Sequence, residues 1–149
     1  MSKIETAIAS VATQGITCIK NADNPYFNSK YADLRTVVIA LKQPLKDAGL
    51  SYYFRAGAYT PVGTNETRWQ VELVVLSDEE QLVVPFPFAQ SDPQKMGSAL
   101  TYAKRYLLTT VFNVIAEEDD DGNEASDNKP KVTKKKPTVM TDAPKPAFF

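Results

Sequence analysis

The sequence predicts an α+β domain: a three-stranded antiparallel β-meander with flanking helices, in the order α-α-β-β-β-α, followed by a disordered, charged C-terminal tail. Three observations carry this prediction. Apolar residues recur with a helical period over residues 4–11 and again over 34–48. The period then drops to two through three consecutive runs between Leu50 and Phe88, and a capped helix opens at Ser91-Asp92-Pro93.

The first helix is short. Ile4, Ala7, Ile8 and Val11 form its apolar stripe, and Gly15 with the polar stretch KNADNPYFNSK ends it. In the second, Leu34, Val37, Val38, Leu41, Leu45 and Ala48 share one face, Pro44 predicts a kink, and Gly49 stands where a helix-terminating glycine belongs. The first strand alternates Leu50, Tyr52, Phe54, Ala56 and Ala58, expected to be buried, with Ser51, Tyr53, Arg55, Gly57 and Tyr59. After the turn TPVGTNE the second strand places Trp69, Val71, Leu73 and Val75 on the core side and Arg68, Gln70, Glu72 and Val74 on the other, predicting a hairpin. The third strand carries Leu82, Val84, Phe86 and Phe88 on one face; Pro85 and Pro87 cannot donate to a ladder, which makes this strand an edge. The last helix runs from Pro93 to about Phe112, with Met96, Leu100, Ala103, Leu107 and Val111 as its stripe.

Composition narrows the chemistry. The 149 residues hold no histidine and one cysteine, Cys18, so histidine-based nucleophilic triads and the usual Cys/His zinc sites are excluded. Cys18 reads as a small buried side chain. The net charge of −1 is a cancellation between blocks. Residues 1–116 carry a net +1, residues 117–128 seven acids and no base, and residues 129–149 a net +5. The chain therefore divides into a folded domain, 1–116, and an acidic-then-basic tail, 117–149, whose polarity and prolines cannot offset the entropy of ordering. With no membrane-length apolar run and no leader-like N-terminus, it is expected to be soluble and intracellular.

The last helix interleaves bases and rings in PQKMGSALTYAKRYLL. Ser98, Tyr102, Arg105 and Thr109 fall on one strip, with Thr101 and Lys104 beside it, and Lys95 belongs to the same string. Cations neutralise phosphates while tyrosines stack on unpaired bases, the combination that single-strand binders use. A solvated helix face whose tyrosines cover the sheet fits equally. Tyr53, Arg55 and Tyr59 share the strand face opposite the core, and Lys30, Tyr31 and Arg35 precede or open the second helix, with Tyr26 and Phe27 nearby. The acidic run from Glu117 to Asp121 lacks the spacing of an EF-hand, and consecutive carboxylates do not converge on a metal pair. No phosphate-binding loop is present, so neither metal, ATP nor another cofactor is expected. Lys129, Lys131, Lys134, Lys135 and Lys136 offer a nonspecific DNA contact or a solubilising tail.

Four strings, NPYFNSKYADL (24–34), LKDAGL (45–50), QKMGSALTYAKRYLL (94–108) and AEEDDDGNEA (116–125), occur in an order that resembles the Erf family of phage single-strand annealing proteins. The resemblance implies a β-β-β-α core like that of ring-forming strand-annealing proteins. It also implies an ATP-independent, non-enzymatic protein of the infected bacterial cytoplasm that binds single-stranded DNA, assembles into rings or filaments, and anneals complementary strands in recombination. Host or phage single-strand DNA-binding proteins are further partners in this reading, and a passive strand protector or recombination accessory is the alternative. By motif, the binding candidates are Lys30 and Tyr31 from the first string with Arg35 directly after it, and Tyr102, Lys104, Arg105 and Tyr106 from the third; Tyr53, Arg55 and Lys95 complete the set. The chain is shorter after its acidic block than longer relatives, which places tail-based assembly in question.

Overall fold

In the computed structural model, which describes residues 1–87 and 92–117, each predicted helix begins at a side chain that satisfies its open N–H groups. Ser2 caps α1 (Lys3–Ala12): its hydroxyl accepts from the Glu5 N–H, and its own N–H donates to the Glu5 carboxylate at 2.9 Å. Asp33 caps α2 (Leu34–Asp47), accepting from the Thr36 N–H at 2.8 Å. Asp92 caps α3 (Pro93–Val111) in the same way through Gln94. α2 continues through Pro44 and stops where Gly49 takes φ +66°; the Leu50 N–H then bonds the Leu45 carbonyl and the Gly49 N–H that of Lys46. Asn113, at φ +50°, closes α3 similarly, with the Val114 N–H on the Thr109 carbonyl.

The meander is formed by β4 (Ser51–Tyr59), β5 (Arg68–Leu76) and β6 (Gln81–Pro87), all antiparallel, in the order β4-β5-β6. Tyr53 pairs with Val74 and Val74 with Val83, which fixes the register. The proline-bearing strand lies at an edge, as expected. The core gathers Ile4, Ile8 and Val11 of α1, Val37, Leu41 and Leu45 of α2, and Ala103, Leu107, Leu108 and Phe112 from α3 and its cap. Val71, Leu73 and Val75 meet them from the middle strand. Cys18 is buried, as read from the sequence.

Four short strands extend the predicted order. β1 (Thr17–Ile19) and β7 (Ile115–Glu117) pair in parallel, and β2 (Ala22–Asp23) and β3 (Lys30–Tyr31) form a small antiparallel ribbon. Parallel pairing of three-residue strands that lie almost a hundred residues apart leaves no local periodic signal. β7 carries the fold to Glu117, one residue past the expected domain end. Phe88, Ser91 and the remaining tail residues lie outside the described residues.

Two burial expectations are corrected. Trp69, Ala56 and Ala58 are exposed, Trp69 at 62%, although they share the helix-facing side of the sheet. The β4–β5 hairpin runs past the helices, so alternation continues where nothing covers it. Val74, placed on the polar side, is 0% exposed because it sits in the middle strand between Tyr53 and Val83. Among the described residues no helix is long and apolar enough to cross a membrane.

Candidate nucleic-acid interface

The ten candidates separate into groups once their neighbours are known. β3 delivers Tyr31 to α3, where the Arg105 guanidinium lies 4.2 Å from the centre of the Tyr31 ring. The rings of Tyr102 and Tyr106, one helical turn apart, stack on each other at 4.2 Å and stand 5.5 and 5.4 Å from the same guanidinium. One Arg105 N–H reaches the Ala32 carbonyl at 3.4 Å. A guanidinium has five such donors, so the ring contacts orient its edge while leaving most of its N–H groups without a partner among the described residues. Burial pushes the Tyr102 phenol up to about 12, with the Tyr106 hydroxyl adding to the shift, so Tyr102 stays uncharged at neutral pH.

Lys104 turns the other way, its ammonium 5.6 Å from the centre of the Phe54 ring. The helical strip that placed it beside Arg105 is therefore split by the helix's contact with the sheet. Lys30 and Arg35 are exposed, flanking Tyr31 on β3 and in the first turn of α2.

The sheet candidates differ. Arg55 donates to Glu72 at 2.6 Å, across the paired positions of β4 and β5, and Gln70 donates to the same carboxylate at 2.7 Å. These hydrogen bonds hold Glu72 below the usual carboxylate range and raise Arg55 above its ordinary value. Tyr53 lies beside Arg55, half exposed. Gly57 sits where a Cβ would meet Glu72, its Cδ at 2.6 Å, so a bare backbone makes room for that pair.

Charge pairing sorts the surface. Lys3, Arg55, Arg68 and Lys95 each have a carboxylate within 4 Å: Glu79, Glu72, Glu66 and Asp92. Lys30, Arg35, Lys42, Lys46, Lys104 and Arg105 have none among the described residues, and all six lie on β3, α2 or α3. Lys42 and Lys46 were not among the sequence candidates. Arg35, Ile39, Lys42 and Lys46 follow i, i+4, i+7 and i+11 down the outer face of α2, a spacing readable from the sequence once the core stripe is set aside. Beside them Val38, expected in the core, is partly exposed and lines a shallow apolar groove of about 380 Å³ with Ile39, Leu45 and Tyr52. No cluster of metal-ligating side chains occurs among the described residues.

The mixed α+β fold thus carries its unpaired cations and the Tyr31, Tyr102 and Tyr106 cluster on the same three elements, β3, α2 and α3. The chain is matched over residues 4–145 by the family model of the ERF superfamily, and it belongs to that family. No curated protein and no solved structure matches it.

Proposed function

We propose that the protein binds single-stranded DNA and anneals complementary strands without ATP, acting as an oligomer in phage homologous recombination. The observation that carries this reading is the segregation of unpaired cations onto β3, α2 and α3, the elements that also carry Tyr31, Tyr102 and Tyr106. Membership of the ERF superfamily supports it.

In this mechanism Lys30, Arg35, Lys42, Lys46 and Arg105 neutralise phosphates of one strand, and the tyrosines offer stacking faces to its bases. Neutralisation lowers repulsion toward a second strand, and base pairing supplies the free energy, so no catalytic residue is required. One domain of 116 residues spans few nucleotides; copies of the chain align their grooves into a longer track. Residues 117–149 form a separate charged tail in this reading, and a single-strand DNA-binding protein of host or phage is a further partner in the bacterial cytoplasm.

The test follows the pairing of two complementary oligonucleotides, one carrying a fluorophore and the other a quencher, without nucleotide. Acceleration over the spontaneous rate at stoichiometric protein is expected. Binding without acceleration means a passive protector, and magnesium-dependent loss of full-length oligonucleotide means a nuclease.

A further inference from the structure

The first family-like string, NPYFNSKYADL, contributes Lys30 and Tyr31 to the surface above, and its first half is still without a role. That half is the loop joining β2 to β3, closed by the pairing of Asp23 with Lys30. It is internally braced. The Asn24 side-chain carbonyl accepts from the Tyr26 N–H at 3.0 Å and from the Phe27 N–H at 3.4 Å. The Asn24 N–H donates to the Ser29 carbonyl at 2.9 Å, the Ser29 N–H donates to that of Phe27 at 2.7 Å, and Pro25 fixes its own φ.

What this bracing holds in place is a pair of largely exposed rings. Tyr26 is 64% and Phe27 65% exposed, on the rim of a concavity of about 540 Å³ lined by residues 23–30. A loop selected for stability alone would turn such rings inward or replace them with polar residues. Lys30, without a carboxylate within 4 Å among the described residues, lines the same concavity, together with Asp23, Asn24 and Asn28. Aromatic faces beside a cation and amide groups form the chemistry that takes a nucleobase by stacking and its phosphate by charge.

The two sets of groups answer different questions about a ligand. Cations of α2 and α3 respond to phosphates, which single strands and duplexes both carry. The faces of Tyr26 and Phe27 serve only bases whose own faces are open. Resting on the function proposed above, we infer that the Asn24–Ser29 loop is a stacking site for unpaired nucleobases and is what makes the surface prefer single strands over duplex.

The experiment measures fluorescence anisotropy of a labelled oligothymidylate and of a labelled hairpin duplex, at several salt concentrations, with the full chain and the variants Tyr26→Ala, Phe27→Ala and Phe27→Leu. Loss of one ring should weaken oligothymidylate binding by roughly 5- to 100-fold. Duplex affinity and the salt slope should stay as in the wild type, because no charge is removed. Phe27→Leu keeps the apolar bulk and should behave like Phe27→Ala, which separates ring stacking from loop folding. Equal losses on both nucleic acids, unchanged single-strand affinity, or wild-type behaviour of Phe27→Leu would overturn the inference while leaving the binding reading intact. A shift of sedimentation coefficient in the variants without DNA would assign the rings to a contact between copies and overturn it as well. Wild-type protein that binds neither probe removes the function proposed above, and this inference with it.

Discussion

Removing the guanidinium of Arg105 should loosen the connection between β3 and α3 as well as weaken DNA binding, and the two effects can be separated. An exposed cation–π pair contributes about 0.5–1 kcal/mol and a desolvated one about 2 kcal/mol, with an outer reach of roughly 6 Å. The Arg105–Tyr31 contact, at 4.2 Å and half-buried on both sides, falls near 1 kcal/mol by that scale. Tyr102 and Tyr106, at 5.5 and 5.4 Å, are close to the limit and contribute a few tenths each. The long hydrogen bond to Ala32 adds about 0.5 kcal/mol. Arg105→Ala should therefore cost about 2 kcal/mol, or a melting temperature lower by about 8 °C for a domain of this size. A double-mutant cycle with Tyr31→Leu, followed by urea denaturation, should return a coupling of about 1 kcal/mol. Arg105→Lys keeps the charge and loses the plane: it should lose most of the same stability yet hold the single-strand salt slope, whereas Arg105→Ala should flatten that slope by about 0.7. A coupling below about 0.3 kcal/mol, within the error of additivity, would refute the geometric reasoning. So would a larger coupling of Arg105 to Tyr102 than to Tyr31.

The outer lysines of α2 make no ion pair among the described residues, so Lys42→Gln with Lys46→Gln should leave the melting temperature within a degree or two and flatten the single-strand salt slope by about 1.4, read by anisotropy titration. Val74→Ala should cost about 2 kcal/mol in urea denaturation despite its place on the polar side of the sheet; a change under about 0.5 kcal/mol would mean that the site collapses onto the smaller side chain. Glu72 is held below its ordinary pKa of 4.5 by Arg55 and Gln70, so its contribution is present above that value and is lost as pH falls through the lower, folded-state pKa. Melting curves of Glu72→Gln should accordingly fall less steeply than wild type below about pH 4.5, and parallel curves would remove Glu72 from the acid response.

The elements that were legible in the sequence are those whose burial pattern is one-sided and long. Ile4, Ile8 and Val11, or Val37, Leu41 and Leu45, announce a helix because each contacts the same core cluster. Alternation in β5 was equally plain, yet it could not say where the helical cover ends, and Trp69 falls beyond that end. Register was the other missing quantity. Arg55 and Glu72 were both assigned to the outer face, but only the pairing of β4 with β5 brings them opposite each other, where the cation is neutralised. The cage around Arg105 was half legible: Tyr102 and Tyr106 lie one helical turn apart, whereas Tyr31 arrives on a two-residue strand too short to read from periodicity.

The acids explain why the unpaired cations lie where they do. The described residues carry eleven bases and eleven acids, so no net field is available from their sum. Yet seven of the eleven carboxylates are held by structural tasks at particular places. Glu5, Asp33 and Asp92 serve helix N-termini, Glu66 and Glu72 meet arginines of the sheet, and Glu79 and Glu80 meet Lys3 and the Ile4 N–H at the start of α1. Helix N-termini favour acids, so acids take the caps, while Lys42 and Lys46 lie further down the outer face of α2 and Arg35 stands in its first turn beside the Asp33 cap. A chain can thus be neutral over its folded part and still present a local positive surface, because a polyanion within about 10 Å responds to unpaired charges and hardly to distant pairs screened by salt. The salt dependence of binding should follow Lys30, Arg35, Lys42, Lys46 and Arg105 and not the net charge. Substituting a paired base such as Lys3, which Glu79 holds at 2.6 Å, should then change the pI without changing the slope.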